Sequence, residues 1–374
     1  MKSLGIIAEF NPFHRGHKFL VEEARKATGA DVVIAVMSGS FVQRGEPAAF
    51  DKWTRAEEAV RNGVNLVAEL PAVFACSSAE YFARGGTGVL EGFGCIDYLA
   101  FGSENGELEP LQKAAEFLDS HRDALHREVS ALMKAGMSYP RARQAAAEKL
   151  DGGLDLSAIS EPNNILAVEY LRHLKRMKPW TVKRQGQGHQ AAASQIRREL
   201  AAADPSTWQA RQQAYWQMAA AAVLRADRTY LDQILSAGGG LSDKLKKEIR
   251  YASSVEELLD RLKSKAYTHT RVRRMLAQTL LGIDRPSVEE ARPYIRVLAF
   301  DPVGASFLRD VKRKECAGIP LITNVNRGLC EFPEIRETLE KDILASDLYN
   351  LICGRDLYSC SDYVRGPRPF RAYA

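Results

Sequence analysis

Two histidines three residues apart, His14 and His17, flank Gly16 in the run Glu9-Phe10-Asn11-Pro12-Phe13-His14-Arg15-Gly16-His17-Lys18. Imidazoles placed this way can donate to phosphoryl oxygens as charge moves in a transition state, or they can ligate zinc. No Cys, Asp or His nearby supplies the remaining zinc ligands at the usual spacing, so phosphate is the favoured ligand and no protein-held metal is expected. A short apolar run at 4–8, broken by Asn11-Pro12, precedes the pair; Leu20, Ala24 and Ala27 follow at helical spacing. That order is a strand, a tight loop and a helix start. The first-turn N–H groups there have no helical partners and face an anion, and Gly16 lets the backbone come close. One histidine at a helix start is ordinarily plain surface. The pair around a glycine at a βα turn is what points to chemistry.

Further strand-like runs at 32–37, 66–70 and 98–101 alternate with helical patterns at 18–28, 52–62 and 79–91. Such alternation predicts an α/β fold, a Rossmann-like parallel sheet with right-handed crossovers, whose ligands bind beyond the carboxyl ends of the strands. The loops there, 10–17, 38–46 and 102–107, are polar and Gly-rich. In the second, Ser38, Gly39 and Arg44 are candidate phosphate or substrate contacts, Arg44 through its planar fork, though the glycines also fit an ordinary surface loop. Gly102 closes the fourth strand where adenine or ribose could approach, or where a turn simply needs glycine. Further on come a helical pattern at 108–150, a break at Asp151-Gly152-Gly153, a helix at 163–176 and a short strand at 181–183. A Gly-rich loop at 186–189 and a helix from Ser194 follow. Asn163 reads as an N-cap or a ligand contact, and Arg184 as a solvated charge or a site residue. Ser194 and Arg197, three apart at a helix start, form another phosphate-binding arrangement. The boundary falls near residue 200. A catalytic domain, 1–200, precedes a mostly helical one, 201–374, with a small α/β element of strands 297–300 and 320–323 around a helix at 305–314.

Composition narrows the class. The 374 residues suffice for two cores, and 45% hydrophobic with 26% charged is ordinary for a globular chain. No apolar run approaches the ~20 residues of a membrane span, and the chain opens on its first strand without a signal-peptide layout, so no membrane association is expected. Six cysteines without CxxC pairing read as reduced thiols in a cytoplasmic protein. A net charge of +5 permits a nucleic-acid partner without demanding one.

The histidine pair resembles the HxGH signature of the nucleotidyltransferase superfamily, whose members cleave ATP between the α- and β-phosphates. Across most of the chain, GIIAEFNPFHRGH, VMSGSFVQRGEPA, NLVAELP, FGSENG, PNNILAVEYL, VKRQGQGH and SKAYTHTRVRRMLAQTLLGI closely resemble the bacterial tRNA(Met) cytidine acetate ligase family. The resemblance implies an HxGH nucleotidyltransferase-like domain in which ATP and acetate give acetyl-adenylate and pyrophosphate, with acetyl transfer to N4 of the wobble cytidine of elongator tRNA(Met). It also implies His14 and His17 as the catalytic pair, with ATP held by Ile7, Ala8, Glu9, Phe10, Asn11, Pro12, Phe13, His14, Arg15, Gly16, His17, Lys18, Phe19 and Leu20, and by Gly102, Asn163 and Arg184. Mg²⁺ would bridge the phosphates, held largely by ATP and water. The chain departs from the family pattern at Ser40, where Asn is usual, at Ala192, which lacks the usual hydroxyl, and at Gly188-His189.

Residues 261–274 hold six Lys or Arg and no acid. From Thr270 a helix would pack Val272, Met275, Leu276 and Thr279 inward and leave Arg271, Arg274 and Gln278 outward for phosphates. Lys263, Lys265, Arg271 and Arg274 are the expected tRNA contacts, with Tyr267 and His269 able to stack on unpaired bases. A solvated basic face is the plainer reading of such a run. No stable protein partner is expected. Two rivals stand beside the ligase: a small-metabolite adenylyltransferase, which has no use for the basic half, and a non-catalytic RNA-binding module, which has no use for intact His14, Gly16 and His17.

Overall fold

The structure, a computed structural model, describes residues 1–135, 137, 139–150, 161–184, 189–263 and 267–370. Among the described residues ten strands are present: β1 Ser3–Ala8, β2 Val32–Ser38, β3 Phe41–Val42, β4 Glu46–Pro47, β5 Leu66–Leu70, β6 Tyr98–Ser103, β7 Lys178–Lys183, β8 Ile295–Phe300, β9 Leu321–Ile322 and β10 Arg368–Pro369. Strand β2 shows why the sheet is closed on both faces. Val32, Ile34 and Val36 join one buried cluster, while Val33, Ala35 and Met37 join another, because successive side chains alternate sides. Helices Arg15–Thr28 and Lys52–Arg61 cover one face through Val21, Ala24, Trp53, Ala56 and Val60. Helix Ala79–Gly92 covers the other through Val89 and Leu90.

The main sheet runs β10-β8-β5-β2-β1-β6-β7, with β9 beside β8. The predicted parallel order holds from β5 through β7. The sequence reading put 297–300 and 320–323 in an α/β element of the second half; instead β8 pairs antiparallel with β5, extending the N-terminal sheet beyond residue 200. The physical reason is edge coverage: β5 would otherwise present an unpaired row of backbone groups. The loop after β2 also differs from expectation. It contains the β3–β4 hairpin, turned by Gln43-Arg44-Gly45 with Gly45 at φ 76°, the left-handed position that a three-residue hairpin loop calls for.

Under this hairpin lies a buried ionic cluster. Lys52 Nζ donates to both oxygens of Glu69 (2.8 and 2.9 Å) and to Asp362 Oδ2 (2.7 Å). Arg296 Nη1 reaches Glu69 Oε2 at 3.0 Å and Asp362 Oδ2 at 2.8 Å, and Ser346 Oγ donates to Asp362 at 2.8 Å. These four charged side chains are at most 3% exposed. Burial opposes ionisation of Asp362, but Arg296 and Lys52 outweigh it and hold the carboxyl well below the usual range. Nearby, Asp342 accepts from Ala72 N (2.6 Å) and Tyr294 Oη; burial and the Glu69 charge push it up to about 7. Ser40, where the family usually has Asn, lies 3.3 Å from Ser346 Oγ, so the departure joins this network.

Candidate functional site

β1 delivers the chain to the site, and the histidine pair then builds the helix start. His14 is the N-cap of Arg15–Thr28: its Nδ1 accepts from Gly16 N at 3.1 Å, while His17 Nδ1 accepts from His14 N at 3.3 Å, a reciprocal capping box. The rings stack with centroids 3.7 Å apart, and His17 meets the Phe10 ring edge-on at 5.0 Å. Because each Nδ1 accepts a backbone proton, each neutral ring carries its own proton on Nε2. The spacing of three that suits a capping box thus also sets two N–H donors side by side at the positive end of a helix.

Both rings line a cavity of about 580 Å³. It opens where the sheet order reverses direction, at the carboxyl ends of β1, β6 and β7, as a doubly wound sheet requires. Of the residues singled out from sequence, Ile7, Ala8, Glu9, Phe10, Asn11, His14, Gly16, His17, Phe19, Leu20, Arg44, Gly102, Asn163, Arg184, Ser194 and Arg197 line it together. Pro12, Phe13, Arg15, Lys18, Ser38 and Gly39 do not. Phe13 packs on Phe10 and His17, Arg15 and Lys18 face solvent, Ser38 is closed off at the end of β2, and Gly39 is held by Arg55 and Glu69.

The polar contacts tie separate elements to one wall. Arg197 Nη1 donates to Asn11 O (2.8 Å) and its Nη2 to Ser194 Oγ (3.3 Å), so helix His189–Ala203 is latched to the histidine loop. Asn163, at the start of helix Pro162–His173, donates to Glu104 Oε1 (2.7 Å), and Arg184 Nη1 lies 3.6 Å from the same oxygen, with its stem against Gly102. Glu9 Oε1 accepts from Gln43 N at 2.7 Å, pinning the hairpin to β1; burial raises the Glu9 pKa, against that hydrogen bond and the Arg44 charge. Arg55, fully buried, bridges the carbonyls of Phe50 (2.9 Å), Glu9 (2.6 Å) and Gly39. Sequence reasoning missed Arg55, Gln43, Tyr170 and Thr270, and Thr270 brings the start of helix His269–Leu281 to the cavity wall.

That helix does not present the face expected of it. Arg271 donates to Ser236 O (2.9 Å), Ala237 O (2.9 Å) and Gly238 O (3.0 Å), and Gln278 is buried, donating to Cys76 O (2.9 Å) and accepting from Ser236 N (3.1 Å). Tyr267 donates to Gly239 O and lies under Arg271. The Gly-rich turn 238–240 exposes carbonyls that need donors, and the basic helix supplies them. Lys263 and His269 are exposed; Lys265, the loop 185–188 and the side chains at 189–192 lie outside the described residues.

Gly45 holds the hairpin against this helix. Any Cβ there would collide with the backbone of Arg273 and Arg274, and its φ of 76° resists a side chain. Gly45→Ala is expected to lower stability by about 2–5 kcal/mol, the sum of the left-handed backbone cost and the overpacking. An unchanged denaturation midpoint would contradict the close approach.

Residues 1–360 match a family model described as HIGH nucleotidyl transferase. The chain is 36% identical to tRNA(Met) cytidine acetate ligase of Caldanaerobacter subterraneus, covering 94% of this chain and 95% of that one. It is 33% identical to the protein of that name from Bacillus subtilis, covering 94% and 92%. The crystal structure of Thermotoga maritima TmcAL bound with alpha-thio ATP superposes with a TM-score of 0.88 at 28% identity over the whole of both chains. The histidine-capped βα turn and these likenesses across its length agree: the chain belongs to the tRNA(Met) cytidine acetate ligase family of HIGH nucleotidyl transferases.

Proposed function

We propose that this protein activates acetate with ATP as acetyl-adenylate and transfers the acetyl group to N4 of the wobble cytidine of elongator tRNA(Met). The observation that carries the reading is the pair of Nε2–H donors at a helix N-terminus, on the wall of a cavity large enough for a nucleotide. ATP lies with its triphosphate at His14, His17, Ser194 and Arg197, and its nucleoside toward Gly102, Asn163 and Arg184. An acetate oxygen bonds to the α-phosphorus as the bond to the bridging oxygen breaks, and pyrophosphate leaves with the electron pair. The imidazoles stabilise charge on the leaving phosphates, so positioning and electrostatics suffice. Mg²⁺ would be held largely by the phosphates of ATP and by water, and would supply charge neutralisation there. The helices beyond residue 200 carry the tRNA, with Lys263 and Lys265 meeting its phosphates. No helix among the described residues is long and apolar enough to cross a membrane.

Mass spectrometry of tRNA(Met) incubated with the protein, ATP and isotopically labelled acetate tests this. A labelled acetyl on the wobble cytidine is expected. Unmodified tRNA, together with pyrophosphate exchange that depends on a phosphorylated metabolite instead of acetate, would favour the small-metabolite adenylyltransferase.

A further inference from the structure

Among the described residues that line the cavity, Glu9 is the one carboxylate. The next acid along that wall, Glu104, lies outside the lining and already accepts from Asn163 at 2.7 Å, with Arg184 3.6 Å away. Activation of acetate has no use for Glu9, because acetate and triphosphate are both anions and a further negative charge repels them. The fold nevertheless fixes this residue with care. Glu9 directly follows β1, and the next residue, Phe10, has φ 45°, a left-handed backbone that a bulky side chain rarely adopts. Arg55 Nη1 donates to Glu9 O at 2.6 Å, and the Phe10 ring packs on Phe13 and His17, each at 5.0 Å, so the bend is enforced from both sides. On the side chain, Oε1 accepts from Gln43 N at 2.7 Å. Oε2 has no donor among the described residues and is not closed off from solvent, so it is the open end of the group at the cavity wall.

The second step of the proposed reaction needs such a group. When the cytosine amine attacks the acyl carbon, one N4 proton must leave. The imidazole pair cannot take it: each Nδ1 accepts a backbone N–H and each Nε2 carries its own proton, so uptake of another would undo the helix start. Glu9 has an oxygen to offer, and its surroundings suit the task. Arg44 and Glu46 of the hairpin, Arg197 of helix His189–Ala203, Arg55, the Cys76 thiol and the Tyr170 phenol are the charged and titratable groups that act on it. Burial raises the Glu9 pKa against the Gln43 hydrogen bond and the Arg44 charge, which makes its anion a stronger base. Position agrees with chemistry. In the sheet order β2-β1-β6-β7, the nucleoside contacts Gly102 and Arg184 belong to β6 and β7, whereas Glu9 and the hairpin lie on the β1 and β2 side. Thr270, from the half proposed to carry the tRNA, joins the same wall, and its helix abuts the hairpin at Gly45.

We infer that Glu9 is the proton acceptor of acetyl transfer: its Oε2 receives an N4–H of the wobble cytosine and takes that proton as the C–N bond forms. The amine lone pair makes the bond to the acyl carbon, the bond from that carbon to the phosphate oxygen breaks, and AMP leaves with its electron pair. Glu9 then gives the proton to water. A carboxylate facing a cytosine amino group is also a recognised pairing, so the same oxygen selects a base that carries N4 over one that lacks it. This inference rests on the proposed function and gives Glu9 a part in the second step, beyond the ATP contact that the family resemblance implies.

The test separates the two steps in the full-length chain. Protein loaded with ATP, labelled acetate and pyrophosphatase is mixed with tRNA(Met), and single-turnover acetylation is followed. Glu9→Gln keeps an oxygen for Gln43 N and removes the base, so transfer should slow about 100- to 10,000-fold. Acetate-dependent exchange of pyrophosphate into ATP, measured without tRNA, should fall far less, because adenylate formation moves no proton. Equal losses in the two steps, the mark of a merely structural role, overturn the assignment, and so does transfer at the unaltered rate. In the unaltered protein transfer should slow as pH falls through the raised Glu9 pKa, since only the ionised carboxylate accepts a proton. Should Glu9→Gln fold poorly, that profile still decides: a transfer rate level through the acidic range overturns the proposal. Absence of acetate-dependent exchange in the unaltered protein would instead sink the function on which the inference rests.

Discussion

His14→Asn is expected to slow acetate-dependent pyrophosphate exchange by about 100- to 1000-fold, the usual cost of losing one donor aimed at developing charge. Asparagine is chosen because His14 has two duties. Its Nδ1 caps the first helix by accepting from Gly16 N, and under the proposed function its Nε2–H donates to the phosphates. An asparagine oxygen keeps the cap and removes the Nε2 donor, whereas alanine removes both and adds about 1 kcal/mol of instability. His14→Ala should therefore abolish adenylate formation and also melt earlier, while His14→Asn should lose activity with little change in melting. Affinity for tRNA should stay near normal in both, because the loss concerns phosphates of ATP. Wild-type exchange rates in His14→Asn would remove His14 from the mechanism.

Lys52→Met is expected to destabilise the protein by about 3–5 kcal/mol, the measured range for breaking a buried ion pair by removing one partner. Lys52 Nζ donates to Glu69 at 2.8 Å and Asp362 at 2.7 Å, in a cluster at most 3% exposed. Without it the two buried carboxylates share, among the described residues, a single cation, Arg296. The effect should reach the site as well, because Glu69 packs directly against Gly39, and Arg55 joins Gly39 O to Glu9 O. Denaturant titration gives the stability, and the KM for ATP in the folded protein reports the disturbance of the loop. A midpoint shift worth under about 1 kcal/mol would mean that the cluster contributes little, as some buried ion pairs do.

The parts of this molecule that sequence made legible are those whose cause is local. The histidine loop could be read because the capping box, the glycine and the helical spacing all lie within residues 14–28. Strands β1, β2, β5 and β6 could be read because apolar runs between helical patterns are local too. The β3–β4 hairpin escaped because each strand is two residues long, too short for an alternation to register. The strand at 297–300 was legible, but its antiparallel pairing escaped because its partner β5 lies more than 200 residues earlier. The ionic cluster joins Lys52 to Asp362 across 310 positions, and no spacing rule connects residues so far apart.

The helix at His269–Leu281 went wrong for another reason. A row of Arg and Gln opposite an apolar stripe looks the same whether it meets water or the carbonyls of a neighbouring turn. Arg271 and Gln278 meet carbonyls, so these two side chains of the face that seemed free for phosphates are taken up by the protein itself. In the cavity the bias ran the other way. Sixteen residues taken from sequence line it together, because the elements carrying them end at the same edge of the sheet. What sequence could not supply was Thr270, brought there by packing of the second half against the hairpin.

The central claim is that the imidazole pair holds the triphosphate at the βα turn. A crystal structure with an ATP analogue that cannot be cleaved between the α- and β-phosphates tests it most directly. Phosphate oxygens within hydrogen-bond distance of Nε2 of both His14 and His17 are the expected result. A triphosphate lying elsewhere in the cavity, with both rings in contact only with protein, would contradict the account.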